Sequence, residues 1–208
     1  MPYPDRHAYP DRFYPVVDSV AWVARLALLG AGTIQLRAKN LDDFEALQTV
    51  KDALEIIKGT EAKLVVNDHW RAAIIAKASH LHLGQEDLAK ADLKAIRAAG
   101  LTLGISTHDD AELETALRVK PDYIALGPIF PTTLKSMRFA PQGIPKITEW
   151  KKRIGGIPLV AIGGIKLEQA REIYAAGADS IAVVSDVTQN PDPDARVRAW
   201  LGLNAEAA

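Results

Sequence analysis

Short apolar runs alternate along this chain with longer stretches of helical period. The runs are FYPVVD at 13–18, TIQLRAK at 33–39, KLVVND at 63–68, HLHLGQ at 80–85, LTLGIST at 101–107, YIALGP at 123–128, PLVAIGG at 158–164 and SIAVVSD at 180–186. This is the pattern of repeated βα units around a parallel sheet, and it predicts eight strands. Helix-like stretches lie between them at 22–29, 42–57, 88–98, 110–118 and 167–176. Several close on glycine, a favourable helix C-cap, at Gly30, Gly59, Gly100 and Gly177. An eight-fold alternation fits a closed (β/α)8 barrel or an open doubly wound sheet. No GxGxxG fingerprint follows the first run, and the units repeat without a break, which favours the barrel. The expected organisation is an irregular arm at 1–12, one barrel domain at 13–203 and a short tail at 204–208.

Composition narrows the function classes. The chain has 208 residues, inside the range of a single α/β barrel, and 48% of them are hydrophobic, so one core is expected. With 25 basic and 26 acidic residues the net charge is -1, and no global field would draw the chain to nucleic acid or an anionic membrane. There is no cysteine, which removes thiolate chemistry, disulfides and sulfur-bound zinc. The opening residues MPYPDRHAYPDRF lack the apolar core of a signal peptide, and no long apolar span follows. A cytoplasmic protein is the expectation, and a homo-oligomer is compatible with it.

In a barrel of this kind the chemistry sits at the C-terminal ends of the strands, so the polar residues are read there. Gln35, Arg37 and Lys39 alternate onto one face of the second run, a polar set for a barrel interior. They read either as a donor cluster for a phosphate or diphosphate, or as an internal salt bridge with a neighbouring strand. Asn67 and Asp68 end the third run, and Asp87 follows the fourth. Two carboxylates at adjacent strand ends suit magnesium, which takes oxygen ligands, although each Asp also reads as a helix N-cap. His80 and His82 share a strand face without a third ligand, which favours packing or hydrogen bonding over a metal. Ser106 and Thr107 bring hydroxyls to the end of the fifth run, for a phosphate, a ring nitrogen or a helix cap.

The segment from Gly127 through Thr132, Thr133 and Lys135 opens a loop running to Gly143, a length typical of lids and binding loops. Its middle, Met137, Arg138 and Phe139, makes a partly apolar tip. Gly163 and Gly164 end the seventh run, and Val184 and Ser185 end the eighth. The loops after strands seven and eight are the recurrent phosphate cradle of this architecture, and paired glycines let amides approach an anion.

Taken in order, FYPVVDS, IQLRAK, VNDHWR, HLHLGQEDL, GISTHDD, YIALGPIFPTTLK, APQGI, VAIGGI and IAVVS resemble the thiamine phosphate synthase family over nearly the whole chain. The resemblance implies a (β/α)8 barrel, a magnesium cofactor and two small-molecule substrates, a pyrimidine diphosphate and a thiazole phosphate, joined to give thiamine phosphate and pyrophosphate. It implies that Gln35, Arg37, Lys39 and Asn67 hold the pyrimidine diphosphate and that Asp68 and Asp87 hold magnesium. Ser106 would contact the pyrimidine and Lys135 its diphosphate, while Thr132, Gly164, Val184 and Ser185 would hold the thiazole phosphate. Arg37, Lys39, Ser106 and Lys135 carry the catalytic expectation. Two positions depart from the family pattern. Leu134 stands where the lid has a second hydroxyl; either Thr133 supplies it from the adjacent position or the thiazole phosphate relies on backbone amides, and His80 stands where a glycine is usual. A related thiazole tautomerase group and a non-catalytic phosphate-binding barrel are the competing expectations; retention of both carboxylates and of the Gln35–Arg37–Lys39 set argues against the former.

Overall fold

The computed structural model describes residues 9–132 and 139–205. Eight parallel strands close into a barrel in chain order, β1-β2-β3-β4-β5-β6-β7-β8, with β8 returning to β1. They are β1 (Phe13–Val17), β2 (Thr33–Leu36), β3 (Lys63–Asn67), β4 (His80–Leu83), β5 (Thr102–Thr107), β6 (Tyr123–Leu126), β7 (Leu159–Ile162) and β8 (Ser180–Val183). Pairing Tyr14 with Ala182 and Gln35 with Val16 fixes the register on either side of β1.

The helices follow in order: α1 (Val20–Leu28), α2 (Asp43–Ile56), α3 (Trp70–Ile75), α4 (Gln85–Leu88), α5 (Leu93–Ala98), α6 (Asp110–Arg118), α7 (Gly143–Ile154), α8 (Ala170–Ala175), α9 (Ser185–Thr188) and α10 (Pro193–Ala205). A strand buried on both faces needs apolar residues at every position, which is why the runs read as continuous rather than alternating. One face of the sheet fills the lumen with Tyr14, Val16, Val65, Tyr123, Ala125, Val160 and Ala182. The other face, including Phe13, Ile34, Leu64, Leu81, Leu103, Ile124, Leu159 and Ile181, packs against the helices.

Where the elements differ from the sequence expectation, local chemistry explains it. The stretch expected at 88–98 becomes helical only from Leu93, after the short α4 ends at Leu88, because the Asp92 side chain accepts the Ala95 amide and starts α5 afresh. The strands stop short of the apolar runs. Asp68 takes a left-handed φ of 62° after β3, Gly163 and Gly164 take 98° and 67° after β7, and Ser185 already opens α9 after β8.

The segments before β1 and after β8 are both tied to the barrel by specific contacts. Trp200 of α10 stacks on Phe13 with ring centroids 5.5 Å apart, and its indole donates to Asp186 at 2.8 Å. Asp186 is also held by the Arg196 guanidinium. At the N-terminal end, Tyr9 stacks on His80 at 4.4 Å, Thr33 donates to Asp11 at 2.7 Å, and Ser180 donates to the Asp11 carbonyl at 2.6 Å. Residues 9–12 therefore cap the lumen from below and leave its C-terminal mouth open.

Candidate active site

A cavity of about 420 Å³ opens at that mouth. One side is hydrogen-bonding: Gln35 and Arg37 from β2 and the residues after it, Asn67 from β3, His82 from β4 and Ser106 from β5. The opposite side is apolar and built of small groups, Val16, Ala125, Val160 and Ala182. Gln35, Asn67 and His82 are buried, Arg37 is half-buried, and Lys39 is exposed beyond the strand end, outside the cavity wall. Among the described residues neither Arg37 nor Lys39 forms an ion pair. The internal salt bridge allowed by the sequence is absent there, and Arg37 faces the cavity as an unneutralised cation.

Asp68 and Asp87 converge beside this cationic edge. A Cβ on Gly84 would lie 3.9 Å from a carboxylate oxygen of each. The Asp68 carboxylate accepts the Gly84 amide at 3.1 Å and the Asn67 carboxamide at 2.5 Å. Burial, then the Asp68 charge and a hydrogen bond between the two carboxyls, pushes the Asp87 carboxyl above the usual range. Neither residue is an N-cap: α3 begins after His69 and α4 after Gly84, and neither start has a side-chain cap. No cluster of three or more His, Cys, Asp or Glu able to hold a metal occurs among the described residues. Two facing carboxylates that repel each other fit a hard divalent cation, which would complete its shell with water and phosphate oxygens.

Across the mouth, Gly163, Gly164, Val184, Ser185 and Thr132 line the cavity. The paired glycines have an immediate packing role. The Ile129 amide donates to the Ile162 carbonyl at 2.9 Å and the Phe130 amide to the Gly163 carbonyl at 3.0 Å. A Cβ on Gly164 would fall 2.8 Å from the Phe130 carbonyl oxygen and closer still to that of Pro131. The returning end of the loop is tied in as well, with Gln142 donating to Pro128 at 2.8 Å and Gly143 to Ile129 at 3.0 Å. Phe139 stacks on His108, ring centroids 4.8 Å apart. Thr133, Leu134 and Lys135, together with Met137 and Arg138, lie outside the described residues.

The lumen beneath the cavity holds polar groups that the strand-end reading missed. Tyr14 and Tyr123 are fully buried, and burial raises both phenols above their ordinary value. Burial first, and the Arg37 charge after it, lower the pKa of His82 to about 4 against the opposing pull of Asp68. Its hydrogen bonds, and the Tyr9 stack on His80, agree with the packing role expected of both histidines. The sequence signal for Tyr123 is Gly104, since a Cβ on that strand residue would land within the Tyr123 ring.

Comparison with known proteins agrees with this geometry. The family model described as thiamine monophosphate synthase matches residues 12–187. The chain is 51% identical to the thiamine-phosphate synthase of Rhizobium etli, over 94% of this chain and 96% of that one. It is 50% identical to that of Neisseria meningitidis serogroup B, over 93% and 95%. Among solved structures, a thiamine phosphate pyrophosphorylase from Pyrococcus furiosus aligns with a TM-score of 0.78 at 30% identity, covering 94% of this chain and 96% of that one. Among the described residues no helix is long and apolar enough to cross a membrane. Barrel, cavity and relatives agree, and this chain belongs to the thiamine monophosphate synthase family, whose members are transferases.

Proposed function

We propose that this cavity joins 4-amino-2-methyl-5-hydroxymethylpyrimidine diphosphate to 4-methyl-5-(2-phosphoethyl)thiazole, releasing thiamine phosphate and pyrophosphate. The observation that carries the reading is the two-sided mouth: the Arg37 cation on one side, with the Asp68 and Asp87 pair beside it outside the wall, and a glycine-lined cradle on the other, across a cavity of about 420 Å³. Gln35, Arg37, Lys39 and Asn67 receive the diphosphate together with Lys135, and Thr133 contributes to the thiazole phosphate side. Ser106 meets the pyrimidine, and Thr132, Gly164, Val184 and Ser185 take the thiazole phosphate.

Asp68 and Asp87 would hold magnesium, which when bound neutralises charge on the diphosphate. In the reaction the methylene C–O bond breaks and its electron pair leaves with pyrophosphate. Arg37, Lys39 and Lys135 stabilise the charge that gathers on the departing oxygens. The thiazole nitrogen then gives its lone pair to the methylene carbon and becomes quaternary, so no protein nucleophile and no net proton transfer are needed. The apolar wall keeps water from competing for that carbon, and the two sides hold the rings in reach of each other.

The test is to incubate the purified protein with both substrates, with and without magnesium, and assay thiamine phosphate and pyrophosphate. Equal amounts of both products, only with the cation, are expected. No product with any divalent metal overturns the reading, and tight thiamine phosphate binding without turnover would mark a binding module instead.

A further inference from the structure

A continuous hydrogen-bond chain crosses the lumen under the cavity from Gln35 to Ser106, through three residues, Tyr14, Tyr123 and His82, that the coupling chemistry above does not use. The Gln35 carboxamide nitrogen lies 2.7 Å from the Tyr14 hydroxyl, which lies 2.8 Å from the Tyr123 hydroxyl. Tyr123 lies 2.9 Å from His82 Nδ1, and His82 Nε2 lies 2.7 Å from Ser106 Oγ. Five strands, β2, β1, β6, β4 and β5, each contribute one member.

The first member sets the direction. A carboxamide nitrogen only donates, so Tyr14 accepts from Gln35, and among the described residues the Tyr123 oxygen is the one acceptor in reach of the Tyr14 proton, so Tyr14 donates to Tyr123. Tyr123 in turn donates to His82 Nδ1. A neutral imidazole that accepts at Nδ1 carries its proton on Nε2, and that proton goes to Ser106 Oγ. With an oxygen lone pair occupied from behind, the Ser106 hydroxyl has its own proton free for the cavity. The Ser106 carbonyl is held separately by Gln85 Nε2 at 2.7 Å, so the backbone carrying the hydroxyl is fixed too.

We propose that Gln35, Tyr14, Tyr123 and His82 form a positioning relay that holds His82 in its Nε2–H tautomer and presents Ser106 to the cavity as a hydrogen-bond donor. The ligand such a site selects is a heteroaromatic ring with an unprotonated nitrogen at that point. The ligand assignment rests on the reading of Ser106 as the pyrimidine contact; the tautomer does not. Tyr123 is the member to remove, because it is fully buried and does not line the cavity.

The experiment is nitrogen NMR on substrate-free, histidine-labelled protein near neutral pH, paired with steady-state kinetics. Wild-type protein should show His82 protonated on Nε2 alone. Tyr123→Phe should release that fixed tautomer and raise KM for the pyrimidine diphosphate about tenfold, the worth of one oriented hydrogen bond, with KM for the thiazole phosphate unchanged. His82→Gln, which keeps an amide donor near the Nε2 position, should retain most of the pyrimidine affinity, and His82→Leu should lose it. That pair carries the test if Tyr123→Phe fails to fold. A wild-type proton on Nδ1, or a Tyr123→Phe protein with tautomer and KM both unchanged, overturns the relay. A fixed Nε2–H tautomer in a protein that turns over neither substrate supports the relay and sinks only the assigned reaction.

Discussion

A carboxylate held against another carboxylate raises the free energy of the folded chain, and Asp87 is held that way by Asp68. Removing one charge relieves the repulsion and, if the pair holds magnesium as proposed, removes half of that cation's protein ligands. Asp87→Asn is therefore expected to melt no lower than wild type without metal, to gain nothing on adding magnesium, and to lose most turnover. Wild type should gain stability with magnesium, because a ligand that binds only the folded state shifts the equilibrium toward it. Thermal melts with and without the ion check both halves. At this scale the sequence was readable where chemistry and strand end coincide, as at Gln35, Asn67 and Asp68. It was silent on Tyr14 and Tyr123, because an aromatic inside an apolar run looks like core until its hydroxyl has a partner. Lys39 shows the opposite limit: alternation put it on the face of Arg37, but the strand ends at Leu36 and the rule ends with it.

Elements meet tightly where the stem of the 127–143 loop docks on the turn after β7. Gly164 serves that contact twice, through a φ of 67° and through the space a Cβ would take from the Phe130 and Pro131 carbonyls. Gly164→Ala should cost about 1–3 kcal/mol in unfolding free energy from backbone strain and crowding, measured by urea titration. It should also raise KM for the thiazole phosphate more than for the pyrimidine diphosphate, since Gly164 lines only that side. Element identity was legible because strand runs and helical stretches differ in length as well as period. Element ends were not, since Asp92 starting one helix and Ser185 opening another are side-chain events that periodicity does not record.

For the whole molecule, two buried imidazoles, His82 in the lumen and His80 at the sealed lower end, contribute acid sensitivity over the same pH range. His80 lies under Tyr9, where burial first and the Lys63 charge second lower its pKa from 6.5 to about 4, with Asp122 opposing. The folded protein keeps this imidazole neutral while the unfolded chain protonates it below about 6.5. Its contribution to stability is therefore complete above 6.5 and is lost as pH falls from there to about 4. The loss is roughly 2 kcal/mol, discounted for partial exposure. His80→Leu should make that part of the stability profile shallower, with the His82 share remaining, in denaturant titrations at a series of pH values, and an unchanged slope would refute the assignment. The closed eight-strand order was legible from the uninterrupted repeat, whereas the plug at 9–12 was not, because prolines and charges there read as irregular chain.

The apolar wall facing the hydrogen-bonding residues also limits how the family's binding space can drift in this chain. Two of its four members, Ala125 and Ala182, already have the smallest side chain a strand holds without resorting to glycine. Substitution at those two can only narrow the cavity. Room for a bulkier ring would have to come from trimming Val16 or Val160, so adaptation toward smaller substrates has more routes open to it than adaptation toward larger ones.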